Sequence, residues 1–291
     1  MTRDLLQRLE RGVVLLDGGL GTELIAMGLA QGQAPEWWVL ERPEQVQQVH
    51  RAYAEAGSDV IHACTFGATP LKLHSAGLPG RCEEVNRRAV ELARAAAGDA
   101  LVAGDIGPTG VMFPPMGEAT VEQLAASYEE QVGHLVRAGV DLLSIETMFD
   151  LREARVAVQA AARSGLPLLA CMTFEARKRG VFTIMGDALV PSLRSLHAAG
   201  ATAVGLNCSV DSSHMIPMLR EAAAQLRCPL VAQPNAGQPQ IGAAGVTYDA
   251  TPEPFAADLM QMVRDGARVI GGCCGSTPEF IRVARRALDE G

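Results

Sequence analysis

The chain has 291 residues, 48% of them hydrophobic and only 20% charged, enough to bury a large core without staples, as two domains or as one long barrel. Its formal charge of −8 is spread along the sequence with no basic cluster longer than EARKRG, which argues against nucleic acid as a partner. No window approaches the roughly 18–20 apolar residues of a membrane span, and the N-terminal MTRDLLQRLERG lacks the apolar stretch of a signal peptide, so a cytoplasmic protein with reduced thiols is expected.

In chain order, the first apolar run is Val13–Leu16 (VVLL), followed by a long connection, Gly18–Arg42, and a helical pattern over Pro43–Ala56. Val60–Cys64 (VIHAC) is the second run, leading through Gly67–Arg81 to a helix over Cys82–Ala97. The third, Leu101–Ala103, precedes the connection Gly107–Thr120 and a helix over Val121–Ala138. Leu142–Ile145 with a helix over Leu151–Ser164, Leu166–Met172 with Leu189–Ala199, and Ala203–Leu206 with His214–Leu226 continue the alternation. Leu230–Ala232 is separated from a helix over Pro254–Asp265 by the connection Asn235–Thr251, and Val269–Ile270 is followed by a last helix over Pro278–Leu288.

The apolar runs are continuous and not alternating, the pattern of parallel strands buried on both faces. Glycines at 57, 139, 200 and 266 close several helices as left-handed caps. Eight strand–helix units without a dividing linker predict a single-domain α/β fold over residues 1–291, a (β/α)8 TIM barrel, with an open doubly wound sheet as the runner-up. All four long connections follow strands, which places them on the catalytic face of a barrel.

That face also collects the residues at the strand ends: Asp17, Thr65, Asp105, Glu146, Thr173, Cys208, Asn235, Cys273 and Cys274. Cys273 and Cys274 are too close in sequence for an ordinary disulfide with each other. Alone, such a pair reads as packing. With Cys208 at a neighbouring strand end it reads as three thiolates, which call for a thiophilic, redox-silent cation, Zn²⁺, with a fourth position open to substrate. Gly271, Gly272 and Gly275 let two consecutive side chains turn to one point. Cys64 and Cys171 are expected in the core, while Cys82 and Cys228 lie at element edges without partners. His62 lies in a strand and His50, His134 and His197 on helices. None has ligand spacing, and none is expected to be catalytic.

Six motifs, LLDGGLGTEL (Leu15–Leu24), CTFGAT (Cys64–Thr69), IETMFD (Ile145–Asp150), GLNCS (Gly205–Ser209), PNAG (Pro234–Gly237) and GGCCG (Gly271–Gly275), resemble those of the homocysteine S-methyltransferase family over residues 12–288. The resemblance implies a zinc barrel in which Cys208, Cys273 and Cys274 hold the metal and homocysteine is bound through its sulfur as thiolate and methylated to methionine. It also implies that Asp17, Gly18, Gly19, Thr65, Glu146 and Asn235 surround the substrate, Glu146 facing its ammonium group and Asn235 taking the open zinc position before substrate arrives. Two positions depart from the family: Cys64 stands where Asn is common, and Gly67 where the betaine enzymes carry a zinc-capping tyrosine. With the chain ending soon after the eighth helix, betaine is the less expected donor.

Three readings stay open at this level. The donor is methylcobalamin on a separate corrinoid protein, or S-methylmethionine or S-adenosylmethionine acting on the barrel alone. The barrel could instead serve a corrinoid-dependent demethylation system with another acceptor, or be a non-enzymatic redox sensor built on Cys208 and the vicinal pair. The apolar loop TGVMFPPMGEAT (Thr109–Thr120) reads as a docking surface, a lid, or a segment packed on the rim.

Overall fold

The protein, seen in a computed structural model, is described over residues 5–242 and 245–291. Eight parallel strands are β1 (Val14–Leu15), β2 (Val60–His62), β3 (Leu101–Ile106), β4 (Leu142–Met148), β5 (Leu168–Met172), β6 (Ala203–Asp211), β7 (Leu230–Asn235) and β8 (Ala267–Ile270). They pair in the order β1-β8-β7-β6-β5-β4-β3-β2. A parallel bridge between Leu16 and Val60 brings β1 back to β2. That bridge decides for the barrel over the open sheet.

An outer helix follows each strand: Pro43–Glu55, Cys82–Ala96, Val121–Ala138, Leu151–Ala162, Leu189–Ala198, Ser212–Gln225, Pro252–Arg264 and Pro278–Glu290. Gly57, Gly139, Gly200 and Gly266 have φ of 99°, 84°, 120° and 115°, the left-handed conformation their helix-ending role requires. The apolar runs are continuous because each strand faces two cores. Val14, Leu16, Val60, Leu101, Leu142, Leu169, Cys171 and Val269 fill the barrel interior, and Leu5 of the helix Leu5–Arg11 joins them. A larger cluster, including Leu15, Ile61, Val102, Leu143, Ala170 and Ile270, lies between strands and helices.

The long connections hold elements that periodicity does not reveal. Short helices Leu20–Ala26 and Glu36–Glu41 lie after β1, and Pro70–Ser75 lies after β2. Hairpins follow β5 (Glu175–Arg177 with Gly180–Phe182) and β7 (Pro239–Gly242 with Gly245–Tyr248). β4 and β6 run further than their apolar cores, through register shifts between Ile145 and Met148 and between Asn207 and Asp211. Bulges of this kind re-aim side chains at strand ends, and here they carry Thr147, Cys208 and Ser209 at φ of 58°, 58° and 62°. A left-handed backbone at non-glycine residues costs on the order of 1–3 kcal/mol each, and it concentrates at functional sites.

Candidate metal centre and active site

The bulge in β6 turns Cys208 toward the β8–helix turn that carries Cys273 and Cys274. The three sulfurs lie within 4.8 Å of one another. Cys208 Sγ and Cys274 Sγ are 3.8 Å apart, the spacing of about 3.8 Å that two sulfurs at roughly 2.3 Å from a tetrahedral zinc ion would have. Two glycine-rich turns make the approach possible. A Cβ on Gly19 would sit 2.8 Å from the Cys273 carbonyl oxygen, one on Gly271 would sit 2.7 Å from Leu16 Cβ, and one on Gly272 would collide with Ser276 Oγ. The DGG and GGCCG motifs are therefore two backbones pressed together. Backbone bonds from Cys273 N to Pro234 O (2.9 Å) and from Ala236 N to Cys274 O (2.9 Å) tie the vicinal pair to β7 on either side of Asn235. Asn235 Oδ1 is buried without a hydrogen-bond partner. Three convergent sulfurs beside an unpaired amide oxygen fit a thiophilic cation.

The thiols share their protons unequally. Bonds from Cys208 and Cys273 hold Cys274 down to about 3, with Tyr248 contributing a further hydrogen bond. For Cys208 the bond with Cys273 acts downward, but its bond to Cys274 together with burial leaves it at about 12. Tyr248 comes from the hairpin after β7, and its ring packs on Gly275, where a side chain would leave no room for it. A tyrosine thus reaches the sulfurs from this hairpin, whereas at the position after TF a Cβ on Gly67 would meet Glu36 Oε1 at 2.9 Å. Gly67 N–H donates to that oxygen at 2.6 Å.

Beside the sulfurs lies a charged cluster whose central histidine sequence reasoning missed. His62 Nδ1 is 2.6 Å from Asp17 Oδ1, and His62 N–H donates to Asp17 Oδ2 at 2.8 Å. On its other side His62 Nε2 lies 3.1 Å from Glu146 Oε1, an ion-pair contact without hydrogen-bond alignment. Glu146 Oε1 also accepts from Gln233 Nε2 at 3.0 Å and Ser144 Oγ at 3.1 Å. Burial alone would lower the His62 pKa, but Glu146 and Asp17 raise it well above the usual histidine value, so the ring is an imidazolium between two carboxylates. Burial raises Glu146, yet His62 and the bonds from Gln233 and Ser144 outweigh it and leave its pKa lowered. Burial keeps Asp17 above the ordinary value despite His62.

These groups share one cavity of about 1260 Å³, lined by Asp17, Gly18, Gly19, His62, Asp105, Glu146, Gln233, Tyr248 and the three cysteines. Two expected substrate neighbours are placed otherwise. Thr65 is fully buried and outside the lining; its hydroxyl donates to Asp105 O at 2.8 Å and accepts from Asp105 N at 3.0 Å, tying the β2 end to β3. Asn235 is 3% exposed, and the residues on either side of it, Pro234 and Ala236, are bonded to the cysteine turn. The Gly19 amide is already engaged by Ser276, at 3.2 Å to its carbonyl oxygen and 3.2 Å to its hydroxyl.

Cys64 and Cys171 are buried, as expected of core residues. A second trio, Cys82, Glu130 and His134, also falls within 4.8 Å. Its groups are engaged with the protein: Cys82 Sγ donates to Ala68 O at 3.3 Å, and Arg137 Nη2 is 2.8 Å from His134 Nδ1. The Thr109–Thr120 loop packs on the rim. Thr109 N and Oγ1 donate to buried Glu153 at 2.8 and 2.7 Å, and Phe113 lies under the Arg152 guanidinium at 4.9 Å. Its residues do not line the cavity.

A (β/α)8 barrel that gathers three thiols and a carboxylate–imidazolium cluster at the C-terminal ends of its strands defines an enzyme of the thiol-centred kind, with its site where barrel enzymes carry theirs. The sequence profile of the homocysteine S-methyltransferase family matches residues 14–288, and the chain belongs to that family. The chain is 29% identical to methionine synthase of Mycobacterium tuberculosis over 98% of its own length, and 28% identical to that of Mycobacterium leprae; it spans 25% of each. The metallated form of the Escherichia coli homocysteine methyltransferase MmuM superposes with a TM-score of 0.78 at 28% identity, covering 94% of this chain and 96% of that one. Its oxidised form gives 0.80 at 27% identity, with 98% of each chain covered. Among the described residues no helix is long and apolar enough to cross a membrane.

Proposed function

We propose that the protein transfers a methyl group to homocysteine at a zinc site held by Cys208, Cys273 and Cys274. The observation that carries this reading is the convergence of the three sulfurs on the floor of a cavity that also presents Glu146. When bound, zinc supplies the acidity that lets a thiol of ordinary pKa, about 8.5, enter as the thiolate near neutral pH. Asn235, with its unpaired amide oxygen, is the residue suited to the fourth position when no substrate is present.

The other residues act on the amino-acid end of the substrate. Glu146 keeps Oε2 nearly free, with only Asn207 Nδ2 at 3.5 Å, and offers it to the ammonium group. Asp17 accepts from the His62 ring at Oδ1 and from the His62 backbone N–H at Oδ2, and so it positions His62 beside Glu146. The turn of Gly18 and Gly19 lines the cavity where the substrate carboxylate would lie. In the reaction the thiol proton leaves, a sulfur electron pair forms the new S–CH3 bond, and the bond from methyl to donor breaks with its electrons staying on the donor.

The cavity exceeds the roughly 300–1,000 Å³ of ordinary ligand pockets, so a small amino acid fills only its floor and the donor approaches from the mouth. The family likeness extends both to MmuM along nearly its full length and to one quarter of methionine synthase, so it does not choose between a free sulfonium donor and a methylated corrinoid protein. The test is to measure zinc content and then methyl transfer to homocysteine and to other thiols from S-methylmethionine, S-adenosylmethionine and a methylcobalamin-loaded protein. Methionine formation with one donor supports the reading. Activity confined to another acceptor would instead favour the demethylation role.

A further inference from the structure

Ser276 stands between the vicinal cysteines and the last helix, Pro278–Glu290, and it is fully buried. A serine so near a helix start is ordinarily spent on capping it, yet the N-cap here is Thr277 and no side chain caps this helix. The Ser276 hydroxyl turns the other way. Its Oγ donates to Cys273 O at 2.6 Å and accepts from Gly19 N at 3.2 Å. The backbone of Ser276 repeats both connections, because Ser276 N donates to Cys273 O at 3.2 Å and Ser276 O accepts from Gly19 N at 3.2 Å. Ser276 O also accepts from Tyr53 Oη at 2.9 Å, a buried phenol on the helix Pro43–Glu55.

Glycines of both motifs make room for this hydroxyl. A Cβ on Gly18 would stand 2.6 Å from Ser276 Oγ and 3.0 Å from Tyr53 Oη, and one on Gly272 would overlap Ser276 Oγ. The rest of the cysteine turn is held from other elements: Cys273 N by Pro234 O, Cys274 O by Ala236 N, and Gly275 N by Thr22 Oγ1 at 2.9 Å. Cys273 O takes its hydrogen bonds from Ser276. That carbonyl belongs to the peptide joining the two cysteines, and a peptide is a rigid plane, so fixing the direction of its C=O fixes how the two side chains leave the backbone. Consecutive side chains of an extended chain point to opposite sides. Directing two of them at one ion therefore requires this plane to be turned and kept turned.

Building on the zinc reading above, we propose that Ser276 is a positioning residue of the metal centre: its hydroxyl, braced by Tyr53, holds the Cys273–Cys274 peptide at the angle that lets both sulfurs share one ion, and ties that peptide to the Gly18–Gly19 turn. Ser276 does this from outside the cavity lining. The turn at the amino-acid end of the site and the turn that carries two of the sulfurs are thereby one unit.

The experiment loads the full-length parent, Ser276→Ala and Tyr53→Phe with zinc and follows its release to a chromophoric chelator. The same proteins loaded with Co²⁺ report the geometry of the metal through their sulfur-to-metal charge-transfer and d–d bands. Ser276→Ala should release zinc about three- to tenfold faster, the scale set by one buried hydrogen bond, and Tyr53→Phe should shift release in the same direction by less. The cobalt bands of Ser276→Ala should move while its far-ultraviolet circular dichroism stays that of the parent. A merely structural serine would lower the melting temperature and leave both metal readouts alone. Parental release and parental cobalt bands in a folded Ser276→Ala would overturn the assignment. Should Ser276→Ala not fold, Tyr53→Phe decides: faster release supports the assignment and parental release overturns it. A parent that binds no zinc would instead strike the reading on which the assignment rests.

Discussion

Replacing His62 with Gln is the sharpest probe of the charged cluster. The ring is 7% exposed and lies between Asp17 and Glu146, so the variant leaves two buried carboxylates facing each other without their cation. Removing one member of a buried ion pair typically costs about 3–5 kcal/mol. Glutamine keeps an N–H donor for Asp17 and should fall near the lower end. At about 2–4 °C per kcal/mol for a domain somewhat smaller than this one, a loss of about 3 kcal/mol lowers the melting temperature by roughly 6–12 °C. The pH dependence gives the decisive sign. The folded-state pKa of His62 is raised above its unfolded value of 6.5, so its stabilisation is fully present below that pH and is lost as pH rises through the folded value. Glu146 has a lowered pKa, so its share is present above the unfolded value of 4.5 and lost as pH falls through the folded one. Asp17, Asp105 and neutral His50, held down to about 4 by burial and by His62, are the other titratable groups near the ring. Calorimetry of zinc-loaded parent and variant from pH 5.5 to 9 should therefore show the gap widest at pH 5.5–6.5 and narrowing on the alkaline side. Adding Asp17→Asn to the variant should recover part of the loss. A gap that is flat with pH, or under about 1 kcal/mol throughout, which is the scale of an exposed pair, would refute an imidazolium buried between two carboxylates.

Three further outcomes follow from the same geometry. The parent should carry about one zinc per chain by mass spectrometry of metals, and Cys208→Ala, Cys273→Ala and Cys274→Ala should each lose most of it; full retention in all three would exclude the site. Glu146→Gln should keep its zinc and weaken homocysteine ten- to a hundredfold in a calorimetric titration, about 1.5–3 kcal/mol for a sheltered charge-assisted bond, while 3-mercaptopropionate barely responds. Gly19→Ala places a methyl group against the Cys273 carbonyl, so its zinc should dissociate to a competing chelator faster than the parent's, an effect absent if the two turns are not in contact.

The barrel was legible because its physics is local. Parallel strands buried on both faces must be continuously apolar, and the positive φ of Gly57, Gly139, Gly200 and Gly266 is a requirement a sequence displays openly. The short helices Leu20–Ala26, Glu36–Glu41 and Pro70–Ser75 were not legible: at seven, six and six residues they span barely two turns, and tertiary contacts sustain them. Nor were the hairpins after β5 and β7, whose strands of three and four residues carry too little alternation to register. Within the site, the three cysteines could be read because few arrangements explain them otherwise. His62 has no ligand spacing in sequence, because it lies within the apolar run VIHAC and its partners come from other strands. The usable signal was the histidine itself: a titratable side chain inside a doubly buried strand must find charge or hydrogen-bond partners, and the strand-end list already held Asp17 and Glu146. Thr65 poses the converse difficulty, since a hydroxyl at a strand end satisfies backbone, here that of Asp105, as readily as substrate.

The asparagine of GLNCS acquires a physical meaning from the bulges. Thr147 on β4 and Cys208 on β6 both hold left-handed backbone, which a strand end would relax if it were free. Asn207 joins them: its Oδ1 accepts from Thr147 N at 2.8 Å and its Nδ2 donates to Thr147 Oγ1 at 2.9 Å. It is fully buried, so no water competes for these bonds. One side chain thus fixes the β4 bulge immediately after Glu146 and belongs to the residue immediately before Cys208. The group proposed to hold the ammonium and the group proposed to hold the metal are consequently set by a single shared constraint. Because the sulfur and the ammonium of one amino acid are a fixed number of bonds apart, a site that recognises both needs such a connection between its two halves more than it needs either half to be rigid alone.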